Sequence, residues 1–279
     1  MTSSRTLLAT ALLAAFSGTA AASIVVDGNL SDWGINKNTW APASGIHYSV
    51  EDSTGTGAYW LNPGWGGQAY DAEAMYATIT DGKLFIALAT GHDPRTLNKP
   101  SASSFGAGDF AIDFGKNGTY ELGINMLYAT ALSKGKYTYE TFGILGGVYA
   151  NPTWSYGLWA PDGSQTSTRP DKLHPTSLLN GTQIGRADLV YTTNGVGGYG
   201  QKEGDLHYFY EMSVDLGLLY QAGWDGSAFN IHWTQNCAND SIITDPGFPS
   251  TVPEPTSLAL VGAGLFGLLG IGRRRRAPR

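Results

Sequence analysis

The stretch Ala74-Met75-Tyr76-Ala77-Thr78-Ile79-Thr80-Asp81-Gly82-Lys83-Leu84-Phe85-Ile86-Ala87-Leu88-Ala89-Thr90 decides the fold class. Two β-prone apolar runs flank an Asp-Gly pair. Glycine accepts the positive φ of a type I′ turn without steric cost, so the pair predicts a tight antiparallel hairpin. A second hairpin is predicted further on: Phe110 to Phe114 alternates, Lys116-Asn117-Gly118 turns, and residues 120–125 return. Further strands are expected at 24–26, 137–142, 188–193, 206–214 and 229–234, with a short helix at 215–221. Residues 150–180 are rich in Pro, Gly, Ser and Thr without clear periodicity and are expected to be loop. Eight or more short strands with turn punctuation predict an all-β chain, an antiparallel β-sandwich of jelly-roll or related connectivity, followed by a C-terminal hydrophobic helix.

Composition agrees. Of 279 residues, 38 are Gly, 42% are apolar and only 14% are charged. Few charges with many glycines and aromatics disfavour a helical bundle, and the aromatic content disfavours disorder. The net charge of -6 conceals a split. Residues 23–252 hold 11 basic and 22 acidic side chains, while five arginines lie beyond Pro253. A body this acidic excludes nucleic-acid binding, which needs Lys and Arg against phosphate.

Both ends read as addresses. Arg5 followed by the apolar run 7–16 and by Ala20-Ala21-Ala22 forms a secretory signal, with the mature chain expected to start at Ser23. This gives three expected segments: a signal peptide at 1–22, a β-sandwich at 23–250 and a sorting tail at 251–279. In the tail, Pro253-Glu254-Pro255 precedes a sixteen-residue stretch, Ser257 followed by fifteen apolar and glycine residues that end at Gly272. Arg273, Arg274, Arg275 and Arg276 follow. As a helix the apolar stretch measures roughly 24 Å, short of a ~30 Å hydrocarbon core but able to sit in a thinned bilayer with the arginines inside.

This three-part tail resembles the PEP-CTERM sorting signal of Gram-negative bacteria. The resemblance implies export across the inner membrane and recognition by an exosortase, a membrane cysteine transpeptidase. It also implies membrane association through the apolar stretch before processing, and an exopolysaccharide or biofilm-matrix setting. At the start of the body, Val26-Asp27-Gly28-Asn29-Leu30-Ser31-Asp32-Trp33 resembles the opening of DOMON-like and family 9 carbohydrate-binding-module-like sandwiches, in which the Trp packs on the sandwich. Near its end, His232-Trp233-Thr234-Gln235-Asn236-Cys237-Ala238-Asn239-Asp240 resembles the terminal strand and Cys-x-Asn-Asp segment of exported PEP-CTERM proteins, with Ala238 where Gly is frequent.

Chemistry-bearing motifs are sparse. There is no nucleophile elbow, zinc-protease motif or phosphate loop, the five histidines are scattered, and Cys237 stands alone. Calcium requires clustered oxygen ligands. Asp71 with Glu73, and Asp109 with Asp113, share a face if extended, so they are candidate ligands for a structural Ca2+. Glu51-Asp52 and Asn239-Asp240 supply further oxygens. Trp60, Trp65, Trp154, Tyr156 and Trp159 lie in turn-rich stretches and are candidates for stacking on sugar rings, against the alternative that they pack a core. The expected function is therefore that of a non-enzymatic exported sandwich binding exopolysaccharide. A structural surface protein contacting only other proteins, and a glycan hydrolase with two carboxylates about 5–10 Å apart, remain as alternatives.

Overall fold

The computed structural model describes residues 23–51, 67–96, 104–126, 142–156, 174–200, 204–238 and 240–247. These form two antiparallel sheets. The strands are β1 (His47–Val50), β2 (Ala72–Thr80), β3 (Lys83–Thr90), β4 (Phe110–Phe114), β5 (Leu122–Ile124) and β6 (Gly147–Tyr156). They continue with β7 (Pro175–Arg186), β8 (Asp188–Tyr191), β9 (Tyr208–Asp215), β10 (Phe229–Thr234) and β11 (Ser241–Thr244). One sheet has the order β1-β2-β3-β9-β8 and the other β11-β10-β4-β5-β6-β7.

The first hairpin forms as its sequence dictates. Asp81 (φ 51°) and Gly82 (φ 74°) both occupy the left-handed region, and Thr80 pairs with Lys83. Met75, Ala77, Ile79, Leu84, Ile86 and Leu88 face the inter-sheet core, where they meet Phe110, Ile112, Ile124, Ile231 and Trp233 of the facing sheet. The alternate residues Tyr76, Phe85, Ala87 and Ala89 face the other way yet are also buried, beneath Leu30, Trp33 and Trp40 of the N-terminal segment. Both faces of β2 and β3 are thus covered, which is why these strands read as near-continuous apolar runs.

The helix α1 (Leu216–Gln221) starts where Asp215 caps it, its carboxylate accepting the Gly217 N–H. Strands β4 and β10 have the expected bounds, whereas β5 is shorter than 120–125. Two expectations are corrected. Residues 24–26 form no strand, because Val25 N–H turns back onto Asp32 Oδ2 at 2.6 Å and the segment packs on a sheet face instead of an edge. Much of 150–180 is not loop: β6 and β7 form a long pair, with 157–173 outside the described residues. Register shifts along the pair, and Asn151 at φ 49°, break the two-residue period that would have marked it. Of the strand expected at 137–142, all but Phe142 lies outside the described residues.

The sandwich is closed at both sides. A single residue, Ala187, separates β7 from β8 where the chain passes between sheets. Opposite, the Ser49 hydroxyl donates to the Ile243 carbonyl and the Thr244 hydroxyl to the Met75 carbonyl, joining β1 and β2 to β11. The acids discussed below collect along this second seam.

Candidate functional site

Three places in the fold gather polar or aromatic side chains. The first is Glu211, in the middle of the apolar strand β9 and fully buried. Its Oε2 accepts the backbone N–H groups of Asp27 and Gly28 at 2.9 and 2.8 Å, and its Oε1 accepts the Trp33 indole at 2.7 Å. Burial raises its pKa against the pull of these donors. The Asp-Gly…Asp-Trp opening is therefore a clamp: its turn and its indole grip one carboxylate. Glu211 escaped the sequence reading, and its only signal was an acid amid Phe209, Tyr210 and Met212.

The second is the seam at β1, β2 and β11. Asp71 and Glu73 do not act together, because a register shift between Ala72 and Ala74 separates them. Glu73 Oε1 meets His207 Nδ1 at 3.0 Å and accepts from Gln68 Nε2 at 2.5 Å. Burial opposes charge on His207, but the bond and charge of Glu73 prevail and hold its pKa above the usual value. Asp71 instead lies with Glu51 and Asp240. Asp240 is buried and accepts Ala72 N–H at 2.6 Å and Ser241 N–H at 2.8 Å. Its pKa stands well above the usual carboxylate value, through burial and then the charges of Asp71 and Glu51, although the Ala72 bond pulls the other way. Burial pushes Glu51 up to about 7. Beside them Gln235 is fully buried, with neither amide atom hydrogen-bonded. Among the described residues, no three His, Cys, Asp or Glu side chains close tightly enough to hold a metal ion by themselves.

Asp109 and Asp113 stand on one face of the β4 segment but serve the backbone at its two ends. Asp109 accepts Met126 N–H at 2.6 Å and Leu178 N–H at 2.7 Å, tying together three chain segments. Burial outweighs these bonds and pushes its pKa up to about 7. Asp113 accepts Asn117 and Gly118 N–H, both at 2.8 Å, and so closes the hairpin turn.

The third place is the outer face of the six-stranded sheet. Tyr120, Tyr149, Trp154 and Leu178 form a layer there with half-buried Phe142 and Tyr156. Trp154 is 8% exposed and lies over Gly123, whose missing side chain makes room for the indole. Tyr120 meets Trp154 edge to face at 6.2 Å and His232 at 4.9 Å. His232 Nε2 and Thr234 Oγ1, two residues apart on β10, are buried beside this layer without hydrogen-bond partners. Burial lowers the pKa of His232 to about 4. Trp60, Trp65 and Trp159 lie outside the described residues, as do Asp52 and Asn239.

Residues 1–22, where a secretory signal is expected, and the tail, with Pro253, Glu254, Pro255, the apolar stretch and Arg273 to Arg276, also lie outside the described residues. Among those described, no helix is long and apolar enough to cross a membrane. The PEP-CTERM protein-sorting motif matches residues 251–276. It marks an exported, surface-directed protein of the Gram-negative type, recognised by an exosortase. No curated protein and no solved structure matches the chain.

Proposed function

We propose that this chain is a non-enzymatic surface or matrix protein whose sandwich binds extracellular polysaccharide, with the sorting tail delivering it to that setting. The observation that carries the reading is the PEP-CTERM motif at 251–276 on an acidic all-β body. The aromatic layer at Trp154 and Tyr156 supports it. Rigid rings stack on sugar C–H faces at little entropic cost, and the buried donors and acceptors of His232 and Thr234 lie beside them. The non-catalytic part rests on what the buried acids do. Glu211, Asp109 and Asp113 each engage both carboxylate oxygens with N–H donors of their own chain, a structural use.

A glycan array probed with the purified exported protein tests this reading. Binding to a defined class of acidic or neutral polysaccharide, weakened at least tenfold by Tyr156→Ala combined with Trp159→Ala, is expected. Absence of binding to every glycan, or hydrolysis of any of them, overturns it.

A further inference from the structure

We propose that Asn180 is a site of spontaneous deamidation, where the exported protein converts to aspartate and isoaspartate, and that the fold withholds the same reaction from Asn117. The reaction needs only water. The Gly181 amide nitrogen attacks the carbonyl carbon of the Asn180 side chain. The new C–N bond closes a succinimide ring, and ammonia leaves with the proton given up by Gly181. Water then adds to either ring carbonyl and breaks its bond to the ring nitrogen. One carbonyl gives aspartate. The other gives isoaspartate, whose backbone runs through the former side chain and is a methylene longer. Glycine after asparagine favours closure because no Cβ crowds the attacking nitrogen.

The chain has Asn-Gly at three places, Asn117-Gly118, Asn180-Gly181 and Asn194-Gly195. All three asparagines are exposed, so neither sequence nor solvent access separates them. Hydrogen bonding does. At Asn117 the reacting groups are all engaged. Gly118 N–H donates to Asp113 Oδ2 at 2.8 Å, and Asp113 is itself buried. Asn117 Oδ1 accepts Thr119 N–H at 2.8 Å, and its Nδ2 donates to the Phe114 carbonyl at 3.3 Å. The nucleophile is aimed at Asp113 and the carboxamide is held elsewhere. Closure there breaks the bonds that make the hairpin turn. It also requires Gly118 to lose a proton beside a carboxylate, which like charge disfavours.

At Asn180 the arrangement is reversed. In the β6–β7 ladder Thr182 stands opposite Ala150 and Asn180 opposite Thr153, which leaves Asn151 and Pro152 facing Gly181. Gly181 therefore lies in a bulge, and its N–H donates to Oδ1 of Asn180 at 2.7 Å. The carboxamide is already folded back over the nitrogen that attacks it. Ring closure starts from such an arrangement, with reacting atoms about 3–3.5 Å apart. β7 is also the edge strand of its sheet, so no further strand restrains Asn180 from that side. Asn194 lies in an exposed bend, and Gly195 N–H meets no acceptor among the described residues. Nothing holds that pair as Asp113 holds Gly118, and it converts as well. At Asn180 the change adds a negative charge and lengthens β7 two residues after Leu178, which stands opposite Trp154 in the aromatic layer.

The test incubates the purified exported protein at pH 8.5 and 37 °C, folded or in guanidinium chloride. Each Asn-Gly peptide is followed by mass spectrometry with electron-transfer fragmentation, which separates isoaspartate from aspartate. In the folded protein Asn180 and Asn194 should convert, with isoaspartate in excess, and Asn117 at least tenfold more slowly than either. In guanidinium chloride the three rates should converge, because the bonds that distinguish the sites are gone. Asp113→Ala frees Gly118 N–H and should raise the Asn117 rate at least fivefold while leaving the Asn180 rate unchanged. If that variant does not fold, the comparison of folded and unfolded wild type still decides. No conversion at Asn180 in the folded protein, conversion of Asn117 as fast as Asn180, or a contrast that persists in guanidinium chloride overturns the proposal.

Discussion

The indole N–H of Trp33 donates to Oε1 of Glu211 at 2.7 Å, joining residues 178 positions apart in the chain. The same carboxylate holds two backbone N–H groups of the Asp27-Gly28 turn. Residues 23–46, which form no strand, are thus held to the five-stranded sheet by a polar clamp beneath Leu30, Trp33 and Trp40.

Removing that carboxylate leaves the buried Trp33 indole N–H without its acceptor and frees two part-buried backbone N–H groups that water can reach. An unanswered buried donor costs about 1–3 kcal/mol, so Glu211→Ala should lose about that much in urea unfolding. Glu211→Gln should lose less, since one amide oxygen still accepts. Equal stability of Glu211→Ala and wild type would show that the clamp contributes nothing.

Asp109 makes stability depend on pH in a fixed direction. Its folded pKa, about 7, lies above its unfolded value near 3.8. The folded state therefore binds the extra proton between these values. Its contribution is fully present below about pH 4 and is lost as pH rises through 7. Asp109→Asn should flatten that part of the profile, a difference on the order of a few kcal/mol between pH 4 and 8. Parallel pH profiles for the two proteins would contradict this.

Gly123 is the floor on which Trp154 rests. A Cβ there would meet Leu178 Cδ2 at 2.6 Å and Trp154 Cη2 and Cζ2 at 3.0 Å. Gly123→Ala should displace the indole, cost about 1–3 kcal/mol, and change tryptophan fluorescence. An unchanged spectrum and melting curve would mean that the ring does not lie on that strand.

Exosortase recognition has a mass signature. If the tail is processed near Pro253-Glu254-Pro255, the intact mass of the exported protein should lack Arg273 to Arg276. An intact arginine cluster on the exported form contradicts processing.

How much was readable in the sequence varied with how local the signal was. The Asp81-Gly82 hairpin, β4, β10 and the short helix at 215–221 depend on neighbours in sequence and could be placed closely. β6 and β7 could not, because their register shifts scramble the period on which such reading relies. β1 and β11 lie at the sheet edges and exist through their partners β2 and β10. The acids show the same division. That Asp71 and Glu73 lie two apart was visible, but the bulge that sends one to Asp240 and the other to His207 is a property of the sheet. Gln235 gave no signal of its own, since what singles it out is burial opposite Asp240.

The most direct test of the proposed role is fractionation of producing cells, measuring how much of the exported protein co-purifies with native exopolysaccharide. The account predicts that most of the wild-type protein partitions with the polysaccharide and is released when that polymer is enzymatically degraded. It also predicts that Tyr156→Ala combined with Trp159→Ala shifts the protein to the soluble fraction while its melting temperature stays near wild type. Equal partitioning of wild type and the double variant, or no wild-type protein with the polysaccharide, would contradict it.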